Sequence, residues 1–160
     1  MNKRPEPKRF EVISTAQITP NMRRVSLGGP AMAEFPLQQD GGYVKLMLPG
    51  PDEKPLVRTY TIRRQTADAL DIDFALHGDH GSGGPAVSWA QAVKPGETIT
   101  VGGPGPAKPL PPGADWYLVL GDMTALPAIA VNLEALPADA VGDAVIEIQS
   151  EADRQDLPHP

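Results

Sequence analysis

The chain has 160 residues, room for one ordinary domain, or for a small domain plus part of a second, with a buried core. Its net charge is −6 with no basic stripe, so nucleic acid is not an expected partner. With no cysteine there is no disulfide framework, thiolate metal site or cysteine nucleophile, and no apolar run is long enough to span a bilayer.

The opening ten residues are charged and proline-bearing, without the apolar core of a signal peptide. Together with the absence of cysteine, this places the chain in a reducing cytoplasm as an expectation. Residues 11–18 alternate loosely, and residues 22–27 follow the turn signal Thr19-Pro20-Asn21. Residues 43–48 form a strand pattern bounded by Gly41-Gly42 and Pro49-Gly50. Residues 57–63 form another. Residues 70–76 alternate almost perfectly, with Leu70, Ile72 and Phe74 on one face. Residues 98–101 follow the Pro95-Gly96 turn. Six short strands between turn signals predict a small antiparallel barrel or sandwich.

Arg58-Thr59-Tyr60-Thr61 lies in the fourth of these strands. A guanidinium, hydroxyls and a phenol within four residues suit a flavin nucleotide. Arginine can fork onto a pyrophosphate. Tyrosine offers a flat apolar face with a polar tip. Threonine and its backbone N–H can reach the flavin edge that accepts hydride.

One helix, residues 85–93, interrupts the strands. It starts with proline in its first turn and stops before Pro95. The segment before it, residues 78–84, is glycine-rich. Glycines let backbone approach a phosphate, and a helix N-terminus supplies free N–H groups. This predicts a second half of a pyrophosphate clamp, with Arg58 as the first. The alternative is a loop before a helix that merely closes the barrel.

Residues 102–113 are rich in glycine and proline and mark the expected domain boundary. The expected division is residues 1–112 and 113–160. Residues 116–120 are a continuous apolar run suited to a buried strand. Gly121-Asp122-Met123-Thr124 reads as a turn. Residues 125–136 fit a helix with Leu126, Ile129, Leu133 and Leu136 on one face, capped by Asp122 or Thr124. Residues 144–148 are a further strand, completing one β-α-β unit. One such unit cannot cover its own parallel sheet. Either it packs on the barrel as an appendage, or the second domain is cut short at residue 160; the second is the expectation.

Taken in order, these motifs resemble the siderophore-interacting proteins. The residues that carry the likeness are Arg58-Thr59-Tyr60-Thr61, Asp73-Phe74-Ala75-Leu76-His77-Gly78, Gly84-Pro85-Ala86-Val87-Ser88-Trp89-Ala90, Lys94-Pro95-Gly96-Glu97, Gly102-Gly103-Pro104-Gly105, and Gly121-Asp122-Met123-Thr124-Ala125-Leu126-Pro127-Ala128-Ile129. That family comprises flavin-dependent ferric-siderophore reductases, related in architecture to ferredoxin reductases. The resemblance implies a six-stranded antiparallel flavin-binding barrel with one capping helix, then the start of a parallel α/β nucleotide-binding domain. It implies FAD contact for Arg58, Thr59, Tyr60, Thr61, His77, Gly84, Pro85, Ala86, Val87 and Ser88. Asp122 and Thr124 match the turn that faces the nicotinamide nucleotide.

There are departures. Val87 stands where the family often has a hydroxyl residue, and Met123 where it usually has glutamate. Gly81 and Gly83 lengthen the loop. Later strands of the nucleotide domain and the basic residues thought to face the siderophore have no counterpart in this sequence.

Other readings of single residues stay open. Arg58 could be a surface ion-pair partner, and His77 a solvated side chain. His77 and His80 hint at metal, but no third ligand is placed, so no metal is expected. Trp89 reads as core and Asp122 as a helix cap. No catalytic acid, base or triad is expected; electrons would pass from NAD(P)H through FAD to a ferric siderophore, releasing Fe(II). The alternatives are a barrel that binds a siderophore or other small ligand without catalysis, and a flavin reductase fed by ferredoxin. The siderophore, the choice among NADH, NADPH and ferredoxin, and the oligomeric state are not readable.

Overall fold

Strict alternation lays Leu70, Ile72 and Phe74 on one face of a strand, and all three are fully buried. The same rule organises the first two-thirds of the chain. The computed structural model describes residues 6–77, 83–157 and 159. Seven strands form one antiparallel sheet: β1 Lys8–Thr19, β2 Met22–Gly28, β3 Tyr43–Leu48, β4 Leu56–Thr61, β5 Arg64–Gln65, β6 Ala69–Ala75 and β7 Thr98–Gly105. Their order is β4-β3-β7-β1-β2-β6-β5. The expected six strands are present, and β5 is a seventh. At two residues it is too short to leave an alternation in the sequence. Phe10, Val12, Val25, Leu27, Val44 and Leu46 join the β6 residues in one core.

The sheet curls into a barrel that is open at one seam, between β4 and β6. The chain itself crosses that seam. Ile62 exchanges hydrogen bonds with the start of β3: its N–H donates to the Gly42 carbonyl at 2.8 Å, and its carbonyl accepts from the Gly41 N–H at 2.9 Å. The next residue, Arg63, donates its N–H to the Asp71 carbonyl in β6 at 2.9 Å. Side chains fill the remaining gap. The Tyr60 ring lies 4.4 Å from that of Phe74, which lies 5.7 Å from that of Trp89. Trp89 belongs to helix α1, Gly84–Ala92, which caps the barrel with buried Ala86, Val87 and Ala90.

β7 runs on to Gly105, four residues past the strand read from sequence. Gly102 pairs with Lys45 and Gly105 with Tyr43. The Tyr43 ring occupies the place where a Cβ of Gly105 would sit. These glycines therefore admit an aromatic side chain onto the strand, besides preceding a linker.

Beyond the linker, β8 Tyr117–Asp122, helix α2 Leu126–Glu134 and β9 Gly142–Glu147 form the expected β-α-β unit, with β8 and β9 parallel. α2 covers one face, where Ile129 packs over Gly121. On the opposite face Leu118, Leu120 and Val145 are exposed. No helix among the described residues is long and apolar enough to cross a membrane.

The two units meet through a small apolar cluster. Met22 and Ala75 of the barrel pack with Met123 and Leu126, flanked by Ile146, Ile148 and Leu157. Met123, the departure from glutamate noted above, is therefore a core residue of this joint. Polar ties frame it. The Arg63 guanidinium forks onto Glu134 at 3.1 and 2.5 Å, and Gln149 Nε2 donates to the Leu76 carbonyl at 2.7 Å.

The strongest tie is Asp153, a fully buried carboxylate in the turn after β9. It accepts from Thr19 Oγ1, the Asn21 backbone N–H and Asn21 Nδ2, each at 2.8 Å, and from Ser150 Oγ at 2.9 Å. Burial pushes its pKa up, but the bonds from Asn21, Thr19 and Ser150 outweigh this and bring it down to about 2.

Two outcomes follow for this tie. Asp153→Ala leaves those donors without an acceptor and is expected to cost roughly 3 kcal/mol, read as a lowered denaturant midpoint. Because the folded pKa lies below the ordinary 3.8, the stabilisation is complete above pH 3.8 and is lost as pH falls towards 2. Its size is about 2 kcal/mol. Acid titrations of the parent and Asp153→Ala should therefore converge in that window. Parallel curves would remove Asp153 from the acid response.

Candidate functional site

The seam between β4 and β6 opens outward into a cavity of about 290 Å³. Arg58, Thr59, Tyr60 and Thr61 of β4 form one wall, Asp73, Ala75 and His77 a second, and Thr124 and Pro127 a third. Tyr60 leans its ring onto Phe74 and the core, while Arg58 and Thr59 stay exposed. Burial raises the pKa of the Tyr60 phenol, with the Arg58 charge acting in the opposite direction. Its hydroxyl is thus a neutral donor at ordinary pH.

Arg58 makes no ion pair among the described residues. Its Nη1 donates only to the carbonyl of its neighbour Val57 at 3.0 Å. A cation without a carboxylate, beside an aromatic face and two hydroxyls, is a donor set suited to a phosphorylated aromatic ligand.

His77 joins the motif to α1. Its side chain is exposed at the cavity, and its carbonyl packs against Gly83, where a methyl group would collide with it and with Val87. Gly84 follows with φ +80° and open space where a Cβ would lie. A ligand can thus approach the start of α1 closely. Residues 84–88 do not line the cavity itself. Ala86 and Val87 turn into the core, Pro85 is half-buried, and Gly84 and Ser88 are exposed. His80 and Gly81 lie outside the described residues, so the His77–His80 pairing has no structural account.

Asp122 and Thr124 take different places. The Asp122 carboxylate accepts from the Thr124 hydroxyl at 2.6 Å and from the backbone N–H groups of Thr124 and Ala125 at 2.8 and 3.1 Å. The Thr124 hydroxyl bond and the Ala125 amide hold its pKa below the usual range. It closes the turn before α2, whose N-cap is Ala125 and which has no side-chain cap, so the expected capping role falls on the turn and not on the helix itself. Thr124 is turned into the barrel's cavity instead. A second cavity of about 290 Å³ adjoins the first and is lined by His77, Asp122, Met123, Thr124, Glu147 and Gln149, among others. His77 and Thr124 border both.

Three wall residues escaped the sequence reading. Pro127 sits in the first turn of α2, where proline reads only as a helix starter. Ala75 ends β6 as a small apolar residue with no donor or acceptor on its side chain to mark it. Asp73 lies on the face of β6 opposite Phe74, buried and paired with Arg24. An acidic residue inside a core strand was a usable signal, but its partner depends on the register of β2 against β6. Larger grooves exist, one of about 530 Å³ along Tyr43, Lys45 and Met47, but none gathers so many convergent polar groups.

Known proteins resemble this chain along nearly its whole length. Residues 11–54 and 49–108 match the siderophore-interacting FAD-binding domain, and residues 114–160 match the siderophore-interacting protein model. The ferric vibriobactin reductase ViuB of Vibrio cholerae is 32% identical over 174 residues, which cover 96% of this chain and 63% of that protein. The crystal structure of the siderophore-interacting protein SipS from Aeromonas hydrophila superposes with a TM-score of 0.83 at 42% identity, covering 96% of this chain and 64% of that one. This chain thus spans less than two-thirds of each. The cytochrome b5 reductase domain of Ulva prolifera nitrate reductase, at 15% identity and a TM-score of 0.69, shares the fold over 93% of this chain. Together the two family models cover most of the barrel and the β-α-β unit, and this chain belongs to the siderophore-interacting protein family.

Proposed function

We propose that the chain binds FAD at the β4–β6 seam and serves in the reduction of a ferric siderophore, with NAD(P)H as electron donor. The observation that carries the reading is the shared cavity: Arg58, Tyr60, Thr61, His77 and Thr124 meet at one opening although they come from three parts of the chain. The donor set fits the group. Arg58 would hold the pyrophosphate together with the open backbone at Gly84. Tyr60 and Thr61 would lie against the ring system or ribityl chain, and Thr59 would add a hydroxyl at the cavity edge. When bound, FAD accepts a hydride and gives up electrons singly, which matches a one-electron metal acceptor.

The chain's own residues bind and orient. Tyr60, braced by Phe74, supplies a rigid face. Thr124, its hydroxyl engaged by Asp122, presents a fixed acceptor from the side of the β-α-β unit. No residue in the cavity is asked to move a proton. The second cavity, with Asp122 and Glu147 in its wall, is where a nicotinamide would approach. A ferric siderophore releases iron on reduction because hard oxygen ligands hold Fe(II) far less tightly than Fe(III).

The test is direct. Purified protein is titrated with FAD, reduced, and mixed with a ferric chelate under anaerobic conditions with a ferrous indicator. Reoxidation of the flavin matched by ferrous colour supports the reading. FAD binding with no transfer to any ferric chelate would leave a flavoprotein of another kind, and no FAD binding would remove the reading altogether.

Two outcomes concern the clamp. Arg58→Ala loses a charge-assisted contact of roughly 1.5–3 kcal/mol, so FAD affinity should fall about 10- to 100-fold in isothermal titration. FMN lacks the pyrophosphate that Arg58 and the α1 entrance are assigned to hold, so FAD should bind clearly tighter than FMN. Equal affinities would mean that these residues hold some other part of the ligand.

A further inference from the structure

The cavity has a charged wall that the binding reading leaves unused. Arg24 of β2 and Asp73 of β6 stand opposite each other in register. The guanidinium forks onto the carboxylate, Nε to Oδ1 at 2.6 Å and Nη2 to Oδ2 at 2.9 Å. Asp73 is buried, yet it lines the cavity beside Tyr60 and His77. Arg24 is not part of that wall. Its third nitrogen lies 3.8 Å from Asp71, whose carboxylate is held by Ser26 Oγ at 2.6 Å. Glu134 also acts on Arg24, and is itself forked by Arg63. The other charged or titratable groups of the wall are Arg58, Tyr60 and His77.

Burying the Asp73 carboxylate against a half-exposed Arg24 is an expensive choice if the pair's task were stability alone. Apolar residues of similar size commonly do as well. Its position suggests a different task. A flavin that takes up two electrons and one proton gains one negative charge and loses no atom. Charges fixed close to the ring therefore shift the balance between its two redox states. Inside a low-dielectric wall such charges act strongly.

Resting on the flavin reading above, we propose that the Arg24–Asp73 pair sets the reduction potential of the bound flavin. The Asp73 carboxylate opposes the incoming negative charge, and the Arg24 guanidinium behind it offsets that opposition. The pair is a tuning device that touches the ligand only through its field and its wall position.

The experiment is a reductive titration of the FAD-loaded protein against a reference dye. Asp73→Asn keeps an acceptor for Arg24 but leaves its positive charge balanced only by the more distant Asp71 and Glu134. The ratio of affinities for reduced over oxidised FAD should rise at least tenfold, which raises the midpoint by about 30 mV for two electrons. The double variant Arg24→Gln/Asp73→Asn removes both charges and should return to the parent potential. Asp73→Asn with FAD bound and the parent potential would overturn the proposal. If Asp73→Asn does not fold, Asp71→Asn removes the second carboxylate facing Arg24 and must raise the same ratio about threefold; no change there also overturns it. Parent protein that binds no FAD defeats the underlying reading instead.

Discussion

The Phe74 ring is the point on which both the barrel and its cavity depend. β4 and β6 share no hydrogen-bond ladder, so beyond the backbone crossing at Ile62 and Arg63 side chains hold the seam. Phe74 touches Tyr60 on one side and Trp89 on the other. One ring thereby ties together the motif strand, its neighbour across the seam and the capping helix. Offset aromatic contacts of this kind add to the burial that each ring already provides. A fully hydrogen-bonded barrel would have no opening at this place. An unbraced seam would have no fixed Tyr60. The aromatic row gives an opening with a rigid edge.

The second unit completes the cavity because its placement is over-determined. A fork from Arg63 to Glu134, a bond from Gln149 to the Leu76 carbonyl and the buried Asp153 cluster surround the Met22–Met123 contact. Apolar burial supplies attraction without direction, whereas hydrogen bonds to a buried carboxylate specify one arrangement. Thr124 and Pro127 reach the cavity wall only in that arrangement. Methionine in place of glutamate at position 123 fits this account, since a charge there would enter the apolar joint.

Much of the fold was legible because barrel strands carry a period of two and the loops carry glycine and proline. Leu70, Ile72 and Phe74 announced both a strand and its buried face. The motif at residues 58–61 stood out by its residue types, and all four of its residues line the seam cavity. What escaped is instructive. β7 continues through glycines that looked like a linker, because their use lies in the ring of Tyr43 across the ladder. Asp73 looked like the polar half of an alternating strand, and only register reveals Arg24 opposite it. Asp153 sits in a polar, proline-containing tail, where nothing local distinguishes a solvated carboxylate from a buried one. In each case the missing information was a partner distant in sequence.

The crossing of the seam at Ile62 and Arg63 has a kinetic consequence. The first two cavity walls, residues 58–61 and 73–77, lie within about 20 consecutive residues and are joined by a short meander. Closing so short a loop carries little entropic cost, and contacts this local form early in folding. The third wall comes from residues 124 and 127 and must wait for the second unit to dock. Pulse-labelled amide exchange during refolding should then protect the 58–77 meander before the Asp153 turn. The cavity would thus be assembled as a half-site before its far wall arrives.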